Sequence, residues 1–493
     1  MQARARIKTK KESAMRHIIV LFAGIALLLT ETSGNAAPQG AAPPLPDAIP
    51  ALADFAGKKE VVDGLPVIWD SSKASALATS SRSRLCLNGL WQFQPVDTGN
   101  GLPRTGDWAY LKVPGSWWRR HSVLNTPFAI HGKEETSWKD VPEGEIRYAW
   151  YRRTFTAPES MANRRIDLTS RVVPAGAVVY IDGRRAGELA GREAMDGTLL
   201  NSRLDVSTLV KPGQPQSLAI FVDSSTYANH GAKALETGIF LEARAPEAGL
   251  YDVKVDTDVA RRNLGVGFRD RTAPGGNRTY AVKVKDEQGK VVIEKSGLQA
   301  APFAIEGEPM WRVELEWQPG AVELWDVNHP NLYSLQLIAK NEHGAVVDET
   351  FPVRFGFRSF GINGRDFVLN GRVIHLKTTW GAQAHGSRRA IRRALNFYRQ
   401  MGYNHIYYRQ SHGALFMDPN RDVFFEEAEN YGFLVTYYVP FGAPRGRYGN
   451  IVTWAEEGGR KKSLAELKDS ELLWRKPLKE YGDMVTASLP WYW

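Results

Sequence analysis

Five residues stand where this chain could do chemistry: Trp380, His385, Asn404, Arg409 and His412. They follow or bracket two apolar runs, Val373–Trp380 and His405–Arg409, that read as strands. Arginine can hold a carboxylate through paired hydrogen bonds, and tryptophan offers a flat apolar face to a sugar ring. A strand-end arginine or asparagine can equally satisfy backbone groups, so each residue also has a purely structural reading.

Another pattern imitates a metal site. Asp418-x-Asn420-x-Asp422, with Glu429 eleven residues after Asp418, has the ligand spacing of a calcium loop, but Val423 holds the sixth position, where the sharp turn requires glycine. Asp418 as a helix N-cap with Pro419 in the first turn accounts for the same residues. No His, Cys and carboxylate group has a zinc-ligand spacing, and no glycine-rich turn suits a phosphate or dinucleotide. No metal and no cofactor are expected.

The elements that must position the five candidates share one grammar. Ser387 can cap a helix whose apolar residues Ile391, Ala394, Leu395, Tyr398 and Met401 recur at helical spacing. A second helix is expected from about Asn420 to Tyr431, ended by Gly432, and Phe433–Val439 reads as a third strand. Alternation of this kind implies parallel strands with right-handed crossovers. In a (β/α)8 barrel the C-terminal strand ends build the site. The five arginines Arg388, Arg389, Arg392, Arg393 and Arg399 read as the solvated face of the first helix.

Before about Phe355 the texture differs. Short strands such as LNGLWQFQP, YAWYRRTFTAP, AVVYIDGRRAGEL and SLAIFVDSS alternate with turns, and Asn88-Gly89 and Asp182-Gly183 are hairpin dipeptides. The pattern implies a β-sandwich over 81–245 and, after a reset near Pro246, a second all-β unit over 246–358. Residues 37–80, rich in Pro, Ala and Ser, read as a linker or an arm on the surface.

Composition bounds the classes. A chain of 493 residues exceeds one core, and 43% hydrophobic with 11% aromatic residues is globular usage. Much of the formal charge of +9 sits in residues 1–36, which carry a net +4. No later basic run is interleaved with aromatics, so nucleic acid is not an expected partner. Basic residues, the apolar run Ile18–Leu29 and Gly34-Asn35-Ala36 read as a signal peptide over 1–36, with initiation at Met1 or Met15, and thus as export to the periplasm or medium. Twelve apolar residues are short for a span, so no stable membrane anchor is expected. The one cysteine, Cys86, allows no intrachain disulfide and reads as a small buried side chain.

In this order the parts resemble glycoside hydrolase family 2, the β-galactosidases, β-glucuronidases and β-mannosidases. LNGLWQF and VPGSWW resemble the start of the family's sugar-binding jelly roll, and YAWYRRTF its W/YYRR-F strand. VYIDGRRAGEL and LVKPGQPQSLAIFVD are similar to two later strands, and GIFLEARAPEAGLYDVKV to the segment leading into the immunoglobulin-like domain. LWDVNHPNLYSLQL and FGFRSFGINGRDFVLNGRVIHLK resemble the stretches ahead of the catalytic barrel. The resemblance implies a jelly-roll β-sandwich, an immunoglobulin-like β-sandwich and, over 359–493, the N-terminal part of an incomplete (β/α)8 TIM barrel.

It also implies a retaining β-glycosidase acting on a terminal β-linked sugar of an oligo- or polysaccharide, with Asn404, Arg409, His412, His385 and Trp380 toward the substrate. The chain departs from the family at Lys377–Trp380, where an Arg-Gly-x-x-x-His stretch is usual, and in the spacing of Asn404 to Arg409, five residues rather than three. A shift of two keeps the same strand face. Asn341-Glu342 imitates the family's acid/base pair but precedes His343-Gly344 and reads as a hairpin tip. About 135 residues follow Arg358, whereas a closed barrel takes about 250, so both catalytic glutamates are expected beyond Trp493 and no turnover from the chain as given. A non-catalytic carbohydrate-binding protein is the alternative. The preferred sugar and the oligomeric state stay open.

Overall fold

The computed structural model describes residues 45–49, 59–62, 64–67, 76–96, 102–119, 129–174, 177–193, 198–224, 232–235, 237–271, 278–305, 308–380, 388–409, 421–438, 456–457 and 460–461. The chain separates into units 1–42 and 43–493; the first, with the expected signal peptide, lies outside the described residues.

Two six-stranded antiparallel sheets open the second unit. One runs Arg184–Glu188, Val178–Ile181, Pro215–Asp223, Tyr148–Thr156, Gly89–Val96, Ala109–Val113. The other runs Ala190–Glu193, Thr198–Asp205, Arg165–Pro174, Ile239–Arg244, Arg82–Cys86, Ala76–Ala78. Their inner faces share one core, in which Trp91, Phe93 and Tyr151 of the first sheet meet Leu85, Leu168 and Leu241 of the second. Phe93 lies 5.2 Å from both the Trp117 and Tyr151 rings, a spacing at which aromatic edges and faces attract.

The first sheet is buried on its other face too, through Trp150, Tyr180 and Phe221. Residues 45–49 cover that face: Ile49 N donates to Gly183 O at 2.8 Å and Tyr180 Oη to Pro46 O at 2.7 Å. Burial on both faces is why Tyr148–Thr156 is buried at consecutive rather than alternate positions, Arg152 and Arg153 included.

Asp182-Gly183 makes the expected two-residue hairpin, with φ of 48° and 78° between the paired residues Ile181 and Arg184. Asn88-Gly89 does not. The strands around it, Arg82–Cys86 and Gly89–Val96, lie in different sheets. The dipeptide is a crossing point, where Asn88 Oδ1 accepts the Ile239 N–H at 3.0 Å. Cys86 is half-buried and free, and burial raises its thiol pKa.

Residues 250–355 form two further antiparallel sheets around a core of Leu264, Val266, Phe268, Val282, Leu335 and Leu337. Asn341 sits in a turn and its Oδ1 accepts from His343 N and Ala345 N, as read from the sequence.

Strands Phe360–Asn363, Asp366–Leu369 and Arg372–Ile374 then make a small antiparallel sheet. The run Val373–Trp380 is therefore not one strand: it breaks at 375–377, and β1 (Thr378–Trp380) begins a parallel sheet. Helix α1 (Arg388–Gln400), β2 (His405–Arg409), helix α2 (Arg421–Asn430) and β3 (Leu434–Tyr438) follow. The three strands pair in parallel, Thr378 beside His405 and His405 beside Leu434. Ile391, Leu395 and Tyr398 of α1 and Phe424 and Ala428 of α2 pack on Ile406. Met401 falls past the end of α1 and is exposed. Gly432, with φ of 70°, closes α2 as expected. Among the described residues no helix is long and apolar enough to cross a membrane.

The seam between residues 250–355 and the βα segment centres on Trp325, which is fully buried. Its Nε1 donates to Glu429 O at 3.2 Å, and the Arg358 guanidinium lies 4.4 Å from its ring centroid. A Cβ on Gly356 would sit 2.7 Å from Trp325, so the glycine of the FGFR run is what admits the indole.

Candidate functional site

A strand presents alternate side chains to opposite faces. In β1–β3, Ile406 and Val435 face the helices. The opposite face carries Thr378 and Trp380 of β1, His405 and Tyr407 of β2, and Thr436 of β3, as their mutual contacts show.

His405 ties the three strands together. Nδ1 lies 2.9 Å from Thr378 Oγ1 and Nε2 2.8 Å from Thr436 Oγ1. Each threonine hydroxyl can donate or accept, so the pair bonds the ring in either tautomer. Burial lowers the pKa of His405 and so favours the neutral imidazole.

Next along the same face, Trp380 and Tyr407 meet edge to face, with centroids 6.0 Å apart and planes at 80°. Trp380 is 51% exposed, and Tyr398 Oη of α1 donates to its carbonyl at 3.3 Å, which pins the backbone beneath it. The result is an open aromatic corner above a satisfied polar floor. Such a corner can stack a sugar ring and offer it a phenol hydroxyl.

The five predicted residues divide. Trp380 stands at the C-terminal end of β1, on this face. Arg409 closes β2, its backbone in register with Tyr438 of β3. His385 and His412 lie outside the described residues.

Asn404 is placed at the other end of β2. Its Oδ1 accepts from Lys377 N at 2.8 Å and its Nδ2 donates to His375 O at 3.0 Å. The amide therefore secures the chain break ahead of β1, which is the structural role a strand-end asparagine can take. His405, Tyr407, Thr378 and Thr436 were missed. The alternation His405-x-Tyr407-x-Arg409 was the available signal.

The arginines of α1 are more than a solvated face. Arg388 pairs with Glu426 and Glu427 of α2, Arg392 Nε reaches Glu427 at 2.9 Å, and Arg399 donates to the Val327 and Tyr431 carbonyls. Burial works against the charge on Glu427, but hydrogen bonds from Arg392 and Arg388 outweigh it and hold its carboxyl below the ordinary glutamate range. These carboxylates brace two helices. The backbone of Glu456–Glu457 pairs with that of Arg460–Lys461 in an antiparallel ladder. The strands β1, β2 and β3 contain no Asp or Glu. Among the described residues no group of three or more His, Cys, Asp or Glu could hold a metal ion.

Comparison with known proteins places this architecture. Residues 248–358 match the family model described as "Glycosyl hydrolases family 2". A β-galactosidase of Bacteroides ovatus is 25% identical over 386 residues, which covers 73% of this chain and 42% of that protein. One of Staphylococcus xylosus is 23% identical over 440 residues, covering 83% and 40%. The chain thus spans less than half the length of these relatives. A solved β-glucuronidase from Ruminococcus gnavus, in complex with D-glucaro-d-lactam, shares the fold at a TM-score of 0.52 and 19% identity over 84% of this chain and 66% of its own. Taken together, residues 248–358 match glycosyl hydrolases family 2, and most of the chain is similar to β-galactosidases and shares the fold of a β-glucuronidase.

Proposed function

We propose that the protein is a β-glycosidase of the family-2 type. In this reading the terminal β-linked sugar of an oligo- or polysaccharide lies against Trp380 and Tyr407, at the C-terminal ends of β1 and β2. The observation that carries the reading is the open aromatic corner on the face of a parallel sheet opposite its two described helices, directly after two all-β units. Residues 81–245 act as a sugar-binding jelly roll, 246–358 as an immunoglobulin-like spacer, and 359–493 as part of a (β/α)8 barrel. The basic and apolar start of the chain directs export.

A retaining mechanism uses two carboxyls about 5–5.5 Å apart, one attacking the anomeric carbon and the other protonating the leaving oxygen. Since β1–β3 carry no carboxylate, their share of the work is to hold and orient the sugar. In this reading the described strands bind sugar without turning it over. Incubation with nitrophenyl β-galactoside, β-glucuronide and β-mannoside tests this: no nitrophenol release is expected, and steady release by this chain would overturn the assignment of roles.

A further inference from the structure

The outer face of the second sheet holds a concentration of arginine that its own carboxylates do not balance. Its register sets Arg82 beside Arg244 and Arg244 beside Arg165, three guanidinium residues in one row across three strands. The adjacent row sets Arg84, Glu242, Asp167 and Asp205 side by side. Like charges directly opposite one another on a sheet repel, so the arginine row needs anions nearby.

Most of those anions are already engaged. Arg82 Nε binds Asp348 at 2.8 Å, and Arg84 Nε binds Glu242 at 2.7 Å. The buried Asp167 is shared by Arg165 at 3.1 Å, Arg203 at 3.3 Å and Arg244 at a long 3.6 Å. Asp167 thus serves three cations, with the half-exposed Asp205 a second anion 3.5 Å from Arg165.

Arg271 arrives from the neighbouring all-β unit. Its guanidinium stacks 4.5 Å from the Tyr251 ring centroid, and Asp252 lies within its electrostatic reach without a close ion pair between them. Arg82, Arg203, Arg244 and Arg271, with only Asp167 and Glu242 of opposite sign, line a cavity of about 60 Å³ at this seam. Burial, together with the proximity of Arg203, Arg271 and Arg165, lowers the pKa of Arg244 despite Asp167. That is the signature of crowded, partly dehydrated positive charge.

We propose that this cavity is an oxyanion site, in which Arg244 and Arg271 grip a sulfate-type tetrahedral anion between the two all-β units. The space is small and suits one such group. Guanidinium forks match tetrahedral oxyanions with paired hydrogen bonds, and Arg271 is the fork whose nearby carboxylate, Asp252, makes no close ion pair with it. The anion is either free in solution or carried as a sulfate ester on a glycan.

Calorimetric titration of the whole chain with sodium sulfate, galactose 6-sulfate and, as a neutral control, galactose tests the site at constant ionic strength. Saturable binding of a sulfate-bearing probe is expected, weakened at least about tenfold by Arg271→Ala, which removes no ion pair of the fold. A sulfate ester bound more tightly than free sulfate identifies the glycan-borne source, and the reverse order identifies the free anion. Absence of binding by both probes overturns the site. So does equal binding by wild type and Arg271→Ala, with Arg271→Lys as the check that a charge without the fork restores only part of the affinity.

Discussion

Two seams in this chain each set an arginine against a buried carboxylate, and they differ in how completely the carboxylate is bonded. At the first, Asp348 accepts from Ser81 Oγ, Arg82 Nε and Leu250 N, all at 2.8 Å, so both oxygens are engaged. At the second, Glu429 Oε1 takes Arg358 at 3.0 Å, but among the described residues Oε2 has no partner. Burial raises the pKa of Glu429 even against Arg358 and Arg354. A fully bonded carboxylate fixes a seam once, whereas a half-bonded one leaves it sensitive to protonation. The rigid seam joins the two all-β units; the adjustable one carries the strand face assigned to the sugar.

Substitutions can break this contrast or sharpen it. Asp348→Ala removes the buried carboxylate partner of the part-buried Arg82 and is expected to cost about 3–5 kcal/mol, read as a lower denaturation midpoint. An unchanged midpoint would mean that the first seam is not held by this pair. His405→Ala removes the link between Thr378 and Thr436 and is expected to cost about 1–3 kcal/mol. Since the folded His405 favours its neutral form, wild-type stability should fall as pH drops below about 6.5, and the variant should lose that dependence.

Glu429→Gln is expected to act on slope rather than on midpoint. With its folded pKa raised, Glu429 makes the folded chain bind more protons than the unfolded one in a window that begins near 4.5. Stability therefore declines as pH rises across that window, and the glutamine variant should flatten the decline. Persistence of the full slope in the variant would assign it to another group. The smallest stability change, within about 0.5 kcal/mol, is expected for the half-exposed Trp380→Ala.

Local patterns were legible in the sequence, and the pairing of distant segments was not. Ile391, Leu395 and Tyr398 announced α1, and Asp182-Gly183 announced its hairpin, because period and turn chemistry are local properties. Asn88-Gly89 misled because the same dipeptide serves a hairpin or a crossing between sheets, and only distant pairing decides between them. Val373–Trp380 looked continuous because residues 375–377 contain no glycine or proline to mark the break. Asn404 drew attention as a strand-end polar residue, yet it braces the start of β2 while its neighbour His405 faces the site. The partners of Arg388 and Arg392 lie on a different helix, so helical spacing alone made them look solvated.

The central claim is that sugar rests on the aromatic corner of β1 and β2. Calorimetric titration of the chain and of its Trp380→Ala and Tyr407→Ala variants with phenyl β-galactoside and phenyl β-glucuronide tests it most directly. Saturable binding of one glycoside is predicted, weakened roughly 2–10-fold in each variant, the value of one aromatic contact. No binding of either glycoside, or equal binding by wild type and both variants, would contradict it.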